Sequence, residues 1–368
     1  MRLLVLAKRR YMGKDVIDDR YGRLHELPME LARRGHQVWG ICTAYRRRGP
    51  GEFQHFDDGR GSLTWQAIDA LPGLPRLGRL LAQRVESFRP DIILSGSDAL
   101  QVALGHRLAR RTGLPHAVDL YDNFESFGLT RLPGLRRAYR RALQQADAIS
   151  CVSRPLADKI ARETDRARVI TLESTIPSGL FTPRGRDDAR RRLDLPQEAL
   201  LVGTAGALHP NRGIGALYEA FLMLAKQMPD LHLILAGPED ARAAVPAHPR
   251  IRYLGRLSHE EVPWLYNALD VAAVCMKSSA FGDFAFPQKT YEILACGTPL
   301  VAAAIPALAE RLGDHPQCLY RPGDARDLAD KLAAQLADPR VPQLPIPTWA
   351  DQARLMEAHL ADCLHESA

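Results

Sequence analysis

The sequence is short of several features that would have settled its class quickly. Its six cysteines (Cys42, Cys151, Cys275, Cys296, Cys318 and Cys363) are scattered, with no Cys-x-x-Cys pair. That argues against a zinc site or a disulfide framework and for reduced core residues in the cytoplasm. No apolar run approaches the roughly 20 residues that a membrane span needs. The opening apolar stretch ends at Lys8-Arg9-Arg10, which suits a buried first strand better than a signal peptide. No Gly-x-Gly-x-x-Gly follows that stretch, which disfavours a nicotinamide dehydrogenase. No Asp-x-Asp is present to bind a metal, and no tandem repeat or low-complexity tract interrupts the chain.

Charge is unevenly spread. Residues 1–180 carry 30 Lys and Arg against 20 Asp and Glu, a net of +10. Residues 181–368 carry 19 against 23, a net of −4. The basic half fits an anionic partner: nucleic acid, an anionic lipid surface or a pyrophosphate-linked acceptor. A general preference for arginine explains the split equally well. A nucleic-acid role has no other support in the sequence.

Short apolar segments alternate with amphipathic ones along the whole chain. The pattern predicts strands at 3–7, 36–42, 91–95, 116–120, 148–152 and 169–172. Helices are predicted at 24–34, 77–88, 100–112 and 135–146. After a polar stretch at 182–196 the rhythm restarts. Strands are predicted at 200–205, 232–236, 250–254, 271–275 and 300–303, and helices at 214–228, 260–267, 328–337 and 349–364. This is the βαβ rhythm of two α/β, doubly wound parallel sheets. Ligands bind at the carboxyl edges of such sheets, so a cleft between the halves is the expected site.

The densest chemistry lies between Ala285 and Val301. Phe286-Pro287 enforces an extended entry, because a residue before proline avoids the α region. A helix from Pro287 puts Lys289 and Glu292 on neighbouring turns, and Gly297 with Pro299 stops it. A loop feeding a helix N-terminus beside a lysine suits a diphosphate. Glu292 can accept hydrogen bonds from sugar hydroxyls. Upstream, residues 203–214 read Gly-Thr-Ala-Gly-Ala-Leu-His-Pro-Asn-Arg-Gly-Ile. Gly206 and Gly213 permit close backbone approach, and Arg212 can meet a phosphate in fork geometry.

These segments resemble the retaining, nucleotide-sugar-dependent glycosyltransferases of family 4, the glycosyl transferases group 1. The resemblance runs nearly the full length and is strongest from Gly203 to Val301. It implies a GT-B fold: two Rossmann-like domains at 1–175 and 176–345, and a C-terminal helix at 346–368 crossing back to the first. Residues 285–301 are similar to the family's Pro-x-Lys-x-x-Glu motif. The resemblance gives Glu292 the donor's ribose, and places Lys289, Pro287 and Gln288 near its diphosphate. The turns at Gly237 and Leu257 correspond to a glycine turn and to a loop near the base. Gly22 stands where the first loop approaches the donor.

The chain also departs from that pattern. Phe284 occupies the position of the family's usual first glutamate, with Asp283 adjacent as a substitute. Ala207 replaces the usual arginine, which leaves Arg212 and Lys289 to carry the phosphate charge. Asp119, Asp122 and His25 are the acceptor-side candidates, and Asp122, Arg212 and Lys289 the catalytic ones. For Asp122 a helix cap is an equal alternative, and for His25 an ordinary surface histidine is the more common state. Arg46-Arg47-Arg48 and the segment 132–143 suggest an anionic membrane surface. In the latter, Arg136, Arg137, Arg140 and Arg141 oppose Leu135, Tyr139, Ala142 and Leu143.

The function expected is transfer of a sugar from a UDP- or GDP-sugar to a hydroxyl of a glycan or lipid-linked acceptor, with retention. It would need no cofactor and no metal. The expected location is the cytoplasm, with peripheral association at the inner face of the membrane. A sugar-nucleotide 2-epimerase and a non-catalytic nucleotide-sugar-binding homologue are the alternatives.

Overall fold

The computed structural model describes residues 1–367 except Met12, Arg47 and 165–167; for 71–76 and 366–367 it describes the backbone alone. Arg47 of the predicted basic loop therefore lies outside the described residues. The chain divides into two compact units: Met1–Thr175 with Pro347–Ala368, and Ile176–Ile346.

Among the described residues the first unit holds an eight-stranded sheet. Its order is Val169–Thr171, Ala148–Cys151, His116–Leu120, Ile92–Gly96, Arg2–Lys8, Gln37–Ala44, Ser62–Asp69 and Gly51–Asp57. All neighbours are parallel except the last pair. Leu3 to Ala7 is a continuous buried run, as a strand covered on both faces requires. The order reverses at Arg2–Lys8, so the end of that strand is a topological switch point. The helix Trp349–Ser367 belongs to this unit. Its Trp349, Ala353, Met356, Leu360 and Cys363 recur at helical spacing and join the core of Leu3, Val5, Leu27 and Leu31.

The second unit holds a six-stranded parallel sheet. Its order is Ile251–Tyr253, Leu231–Ala236, Leu200–Ala205, Val271–Val274, Leu300–Ala303 and Leu319–Tyr320. It reverses between Leu200–Ala205 and Val271–Val274, which puts a second switch point there. All six cysteines are buried, and none is joined in a disulfide among the described residues.

The structure adds elements that the sequence rhythm does not announce. The polar stretch after Tyr45 contains the antiparallel pair Gly51–Asp57 and Ser62–Asp69. Within Ser62–Asp69, Leu63, Trp65 and Ala67 alternate inward, a period-two signal set among turn residues. The helices Arg154–Thr164 and Pro306–Arg311 and the strand Leu319–Tyr320 are likewise additional. The helix expected at 77–88 begins seven residues earlier, at Ala70.

Candidate active site

In the second unit, the turns after three adjacent strands are laced together. The Gly206 N–H donates to the Ala236 carbonyl at 2.9 Å, and the Gly237 N–H donates to the Gly255 carbonyl at 2.7 Å. A methyl group at Gly237 would lie 2.0 Å from the Gly206 carbonyl oxygen, and Gly237 has φ +126°. Only glycine fits there. The Tyr253 hydroxyl donates to the Gly237 carbonyl at 2.7 Å and fixes the turn from its other side. Leu257 is half-buried in the loop that follows.

Lys289 opens the short helix Lys289–Ala295, whose Tyr291, Ile293 and Leu294 are buried. The helix is therefore anchored by its apolar residues, and Lys289 faces the first of the three turns. Its Nζ donates to the Ala205 carbonyl at 2.5 Å. A methyl group at Gly206 would meet that Nζ at 2.9 Å. Pro287 and Gln288 precede the helix and are buried. The Gln288 side chain has neither its amide oxygen nor its nitrogen partnered, and the Thr290 hydroxyl is also buried and unpartnered. Buried polar atoms in this state can accept or donate to another group that binds there.

Arg212 ends the 3-10 turn Pro210–Arg212, and its guanidinium stacks 4.5 Å over the Phe281 ring. Gly213, at φ +69°, presses the turn against the backbone of Met276 and Lys277. Arg212 lies near enough to Lys289 for the two charges to repel. Burial first, and then that repulsion, lowers the Lys289 pKa from its ordinary 10.5, while Cys275 and Glu292 partly offset the effect.

Glu292 is 8% exposed, so it is not a helix-surface charge. Burial pushes its pKa up to about 7, against the pull of Lys289 and a 3.4 Å contact from the Tyr266 hydroxyl. Lysine and glutamate thus both shift toward their neutral forms. An anion beside Lys289 would restore the lysine's charge. Asp283 accepts from the Ser278 hydroxyl at 2.8 Å, within a loop where Gly282 packs on the Lys277 carbonyl. Phe284 follows it on the same 3-10 turn.

In the first unit, Gly22 has φ +70° and precedes the helix Arg23–Arg33. A methyl group there would strike the Tyr11 ring at 2.7 Å. His25 is 4% exposed, not a surface histidine. Burial, with the His55 ring 5.4 Å away and two arginines, lowers its pKa to about 3 and keeps it neutral. Asp119 is buried too. Arg23 grips it through two bonds at 2.6 and 2.8 Å, and the Ser150 hydroxyl donates to it at 2.5 Å. Asp122 is half-buried, and one carboxylate oxygen accepts from the Asn123 N–H at 3.1 Å.

Sequence reasoning missed Arg23, the Tyr266 contact, and a cluster around Lys8, Ser97 and Asp98. For Lys8 and Asp98 a signal was available: one ends the central strand and the other precedes a helix. The basic helix Leu135–Gln144 also reads differently in three dimensions. Its Tyr139, Ala142 and Leu143 are buried in the protein, so its apolar side is not available to lipid. Arg136, Arg137, Arg140 and Arg141 are exposed.

Comparison with known proteins bears on both units. The family model described as Glycosyl transferases group 1 matches residues 199–338, and the Glycosyl transferase 4-like domain matches 23–174. A D-inositol 3-phosphate glycosyltransferase of Stackebrandtia nassauensis is 29% identical over 277 residues, covering 70% of this chain and 60% of its own. The chain thus spans less than two thirds of the length of that relative. Sucrose-phosphate synthase from Thermosynechococcus elongatus superposes over the full length of both chains with a TM-score of 0.74, at 19% identity. Anabaena Alr3699/HepE in complex with UDP-glucose gives 0.66 at 18% identity, covering 100% of this chain and 98% of that one. At these identities the structural likeness is one of fold, and the fold is GT-B.

Proposed function

We propose a specific reaction for this chain, which belongs to the glycosyl transferases group 1 family: transfer of a sugar from a nucleoside-diphosphate donor to an acceptor hydroxyl, with retention. The bond from the anomeric carbon to the diphosphate oxygen breaks, and a bond to the acceptor oxygen forms. The acceptor's proton leaves with the nucleoside diphosphate. The demanding feature is negative charge building on the leaving diphosphate. Lys289 and Arg212 answer it, since two cations held by the protein need no reorganisation as that charge develops. Glu292 receives the ribose hydroxyls, and the glycine turns at Gly206 and Gly237 let the backbone come close to the donor.

One observation carries this reading. Lys289, held against the Ala205 carbonyl and within the field of Arg212, stands beside the buried, unpartnered Gln288 amide. A cationic edge with orphaned polar atoms fits an anionic, hydrogen-bonding ligand. UDP-sugars are the first donors to test, because the HepE structure named above contains UDP-glucose. Incubation with a panel of UDP- and GDP-sugars and sugar acceptors should release nucleoside diphosphate, and NMR of the product should show the donor's anomeric configuration. Inverted product, or an epimerised donor without transfer, would reject the reading.

A lipid-linked acceptor at an anionic surface is the narrower form of this proposal. Phe127 (40% exposed) and Leu132 (53%) support it, since they lie in the segment leading to the exposed arginines of Leu135–Gln144. Co-sedimentation with phosphatidylglycerol vesicles, but not with phosphatidylcholine, is the expected result. A cytoplasmic location fits the six reduced, buried cysteines.

A further inference from the structure

The first unit carries an open pocket at the amino edge of its sheet, the edge opposite the strand ends where α/β enzymes bind their substrates. Its volume is about 470 Å³, within the range of small-molecule sites. It lies between the end of the helix Ala99–Thr112, the turn after it, and residues 145–147 that follow the helix Leu135–Gln144. The strand His116–Leu120 starts there. Leu114 and Pro115 give the pocket an apolar side, and Arg110, Gln145 and Asp147 give it polar groups. One Asp147 carboxylate oxygen accepts from the His116 N–H at 2.8 Å, and the Asp147 N–H donates to the His116 carbonyl at 2.9 Å. The carboxylate is therefore held in place by the backbone of the neighbouring strand. His116 is 2% exposed; its Nε2 meets the Ser95 hydroxyl at 2.7 Å, while its Nδ1 has no partner among the described residues. The His106 ring, also at the pocket, lies 6.0 Å from that of His116. Burial lowers the pKa of both histidines, that of His116 to about 3, so both rings are neutral near pH 7.

We propose that this pocket is a saccharide site apart from the reacting edge, and that it holds a neutral sugar unit of a glycan. The choice of a saccharide among neutral polar ligands rests on the glycosyl-transfer reading. The charged side chains of the lining are Arg110 and Asp147, one of each sign. A phosphate drawn to Arg110 would face the Asp147 carboxylate, and an amine drawn to Asp147 would face the guanidinium. Sugar hydroxyls meet neither conflict: they donate to a carboxylate or an imidazole nitrogen, and accept from a guanidinium or an amide. Leu114 and Pro115 offer apolar surface to the sugar's C–H groups, the mixture of apolar wall and few polar groups that small-molecule pockets show. The strand His116–Leu120 has five residues, so at roughly 3.3 Å per residue the pocket and the carboxyl edge are about 16 Å apart. A sugar bound here is therefore not the one that reacts. It anchors a remote part of a longer glycan.

Saturation-transfer NMR on the full chain tests this. The probes are maltose, cellobiose, mannobiose and chitobiose, with glucose 6-phosphate and glucosamine as the charged comparison. At least one disaccharide should bind. Arg110→Ala should weaken it by about tenfold or more, the scale of one hydrogen bond to a charged group, and Asp147→Asn should weaken it too. Arg110 is exposed, and Asp147→Asn keeps an acceptor for the His116 N–H, so both variants should fold. UDP affinity, read on the same samples, should not change. No disaccharide binding, binding that either variant leaves intact, or tighter binding of a charged probe that the same variants abolish would overturn the proposal. Disaccharide binding that depends on both residues, in a chain that transfers sugar from no nucleotide donor, defeats the glycosyl-transfer reading and leaves the saccharide site standing. Transfer without such binding defeats the saccharide site alone.

Discussion

The Lys289 ammonium donates to the Ala205 carbonyl across 2.5 Å, and so ties the start of one helix to the end of the central strand of its sheet. The two residues are 84 positions apart in the chain. The contact holds the ammonium at the switch point. In the proposed reaction this preorganisation is what Lys289 contributes.

Lys289→Ala and Arg212→Ala should each reduce transfer by about a hundredfold or more, the scale of losing one preorganised contact to developing charge. Their folds should be kept, because both side chains retain some solvent exposure. Steady-state rates beside thermal melts check this. Unchanged turnover in both variants would remove them from the site.

Glu292 gives a dependence on pH whose sign can be worked out. Its folded pKa of about 7 lies above its ordinary 4.5. Between those values the unfolded chain loses the proton first, so this group's contribution to stability falls as pH rises through that window and stays low above it. Glu292→Gln removes the penalty. At pH 8 it should stabilise the unliganded protein by on the order of 1 kcal/mol. In the same variant donor binding should weaken and lose its dependence on pH around 7. Urea titrations at pH 5 and pH 8 measure the first effect.

Two glycine substitutions should move stability in opposite directions. Gly237→Ala places a methyl group 2.0 Å from the Gly206 carbonyl at a positive φ, and should cost about 1–3 kcal/mol. Gly215→Ala lies in the helix Ile214–Leu224 with open space around it, and should add about 0.5–1 kcal/mol. Melting curves of the two variants decide it.

Asp119→Ala should act on stability before it acts on chemistry. It leaves the Arg23 guanidinium, which has no solvent exposure, without its partner. Breaking such a pair from one side costs about 3–5 kcal/mol. Chemical denaturation should show that loss. A stable Asp119→Ala protein that has lost only transfer would instead support a direct acceptor-side role for Asp119.

The grouping of the proposed donor-side residues was legible in the sequence because it is local. Lys289, Glu292, Gly297 and Pro299 fall within eleven positions, and the spacing of one helix relates them. The Arg23–Asp119 pair was not legible, because its members are 96 positions apart and only the sheet order joins them. The helix Leu135–Gln144 shows a different limit: spacing revealed which face is apolar, but not that Tyr139, Ala142 and Leu143 spend that face on the protein's own core. His25 looked like a surface residue because nothing nearby in the chain announces the His55 strand that covers it.

The central claim is that Lys289 and Arg212 hold a nucleoside diphosphate. Calorimetric titration of UDP into the full chain and into Lys289→Ala tests it most directly. Saturable binding at one site is expected in the wild type, with affinity lower by about tenfold or more in the variant, the scale of one lost charge-assisted contact. Equal affinity in the two proteins, or no binding of any nucleoside diphosphate by the wild type, would contradict it.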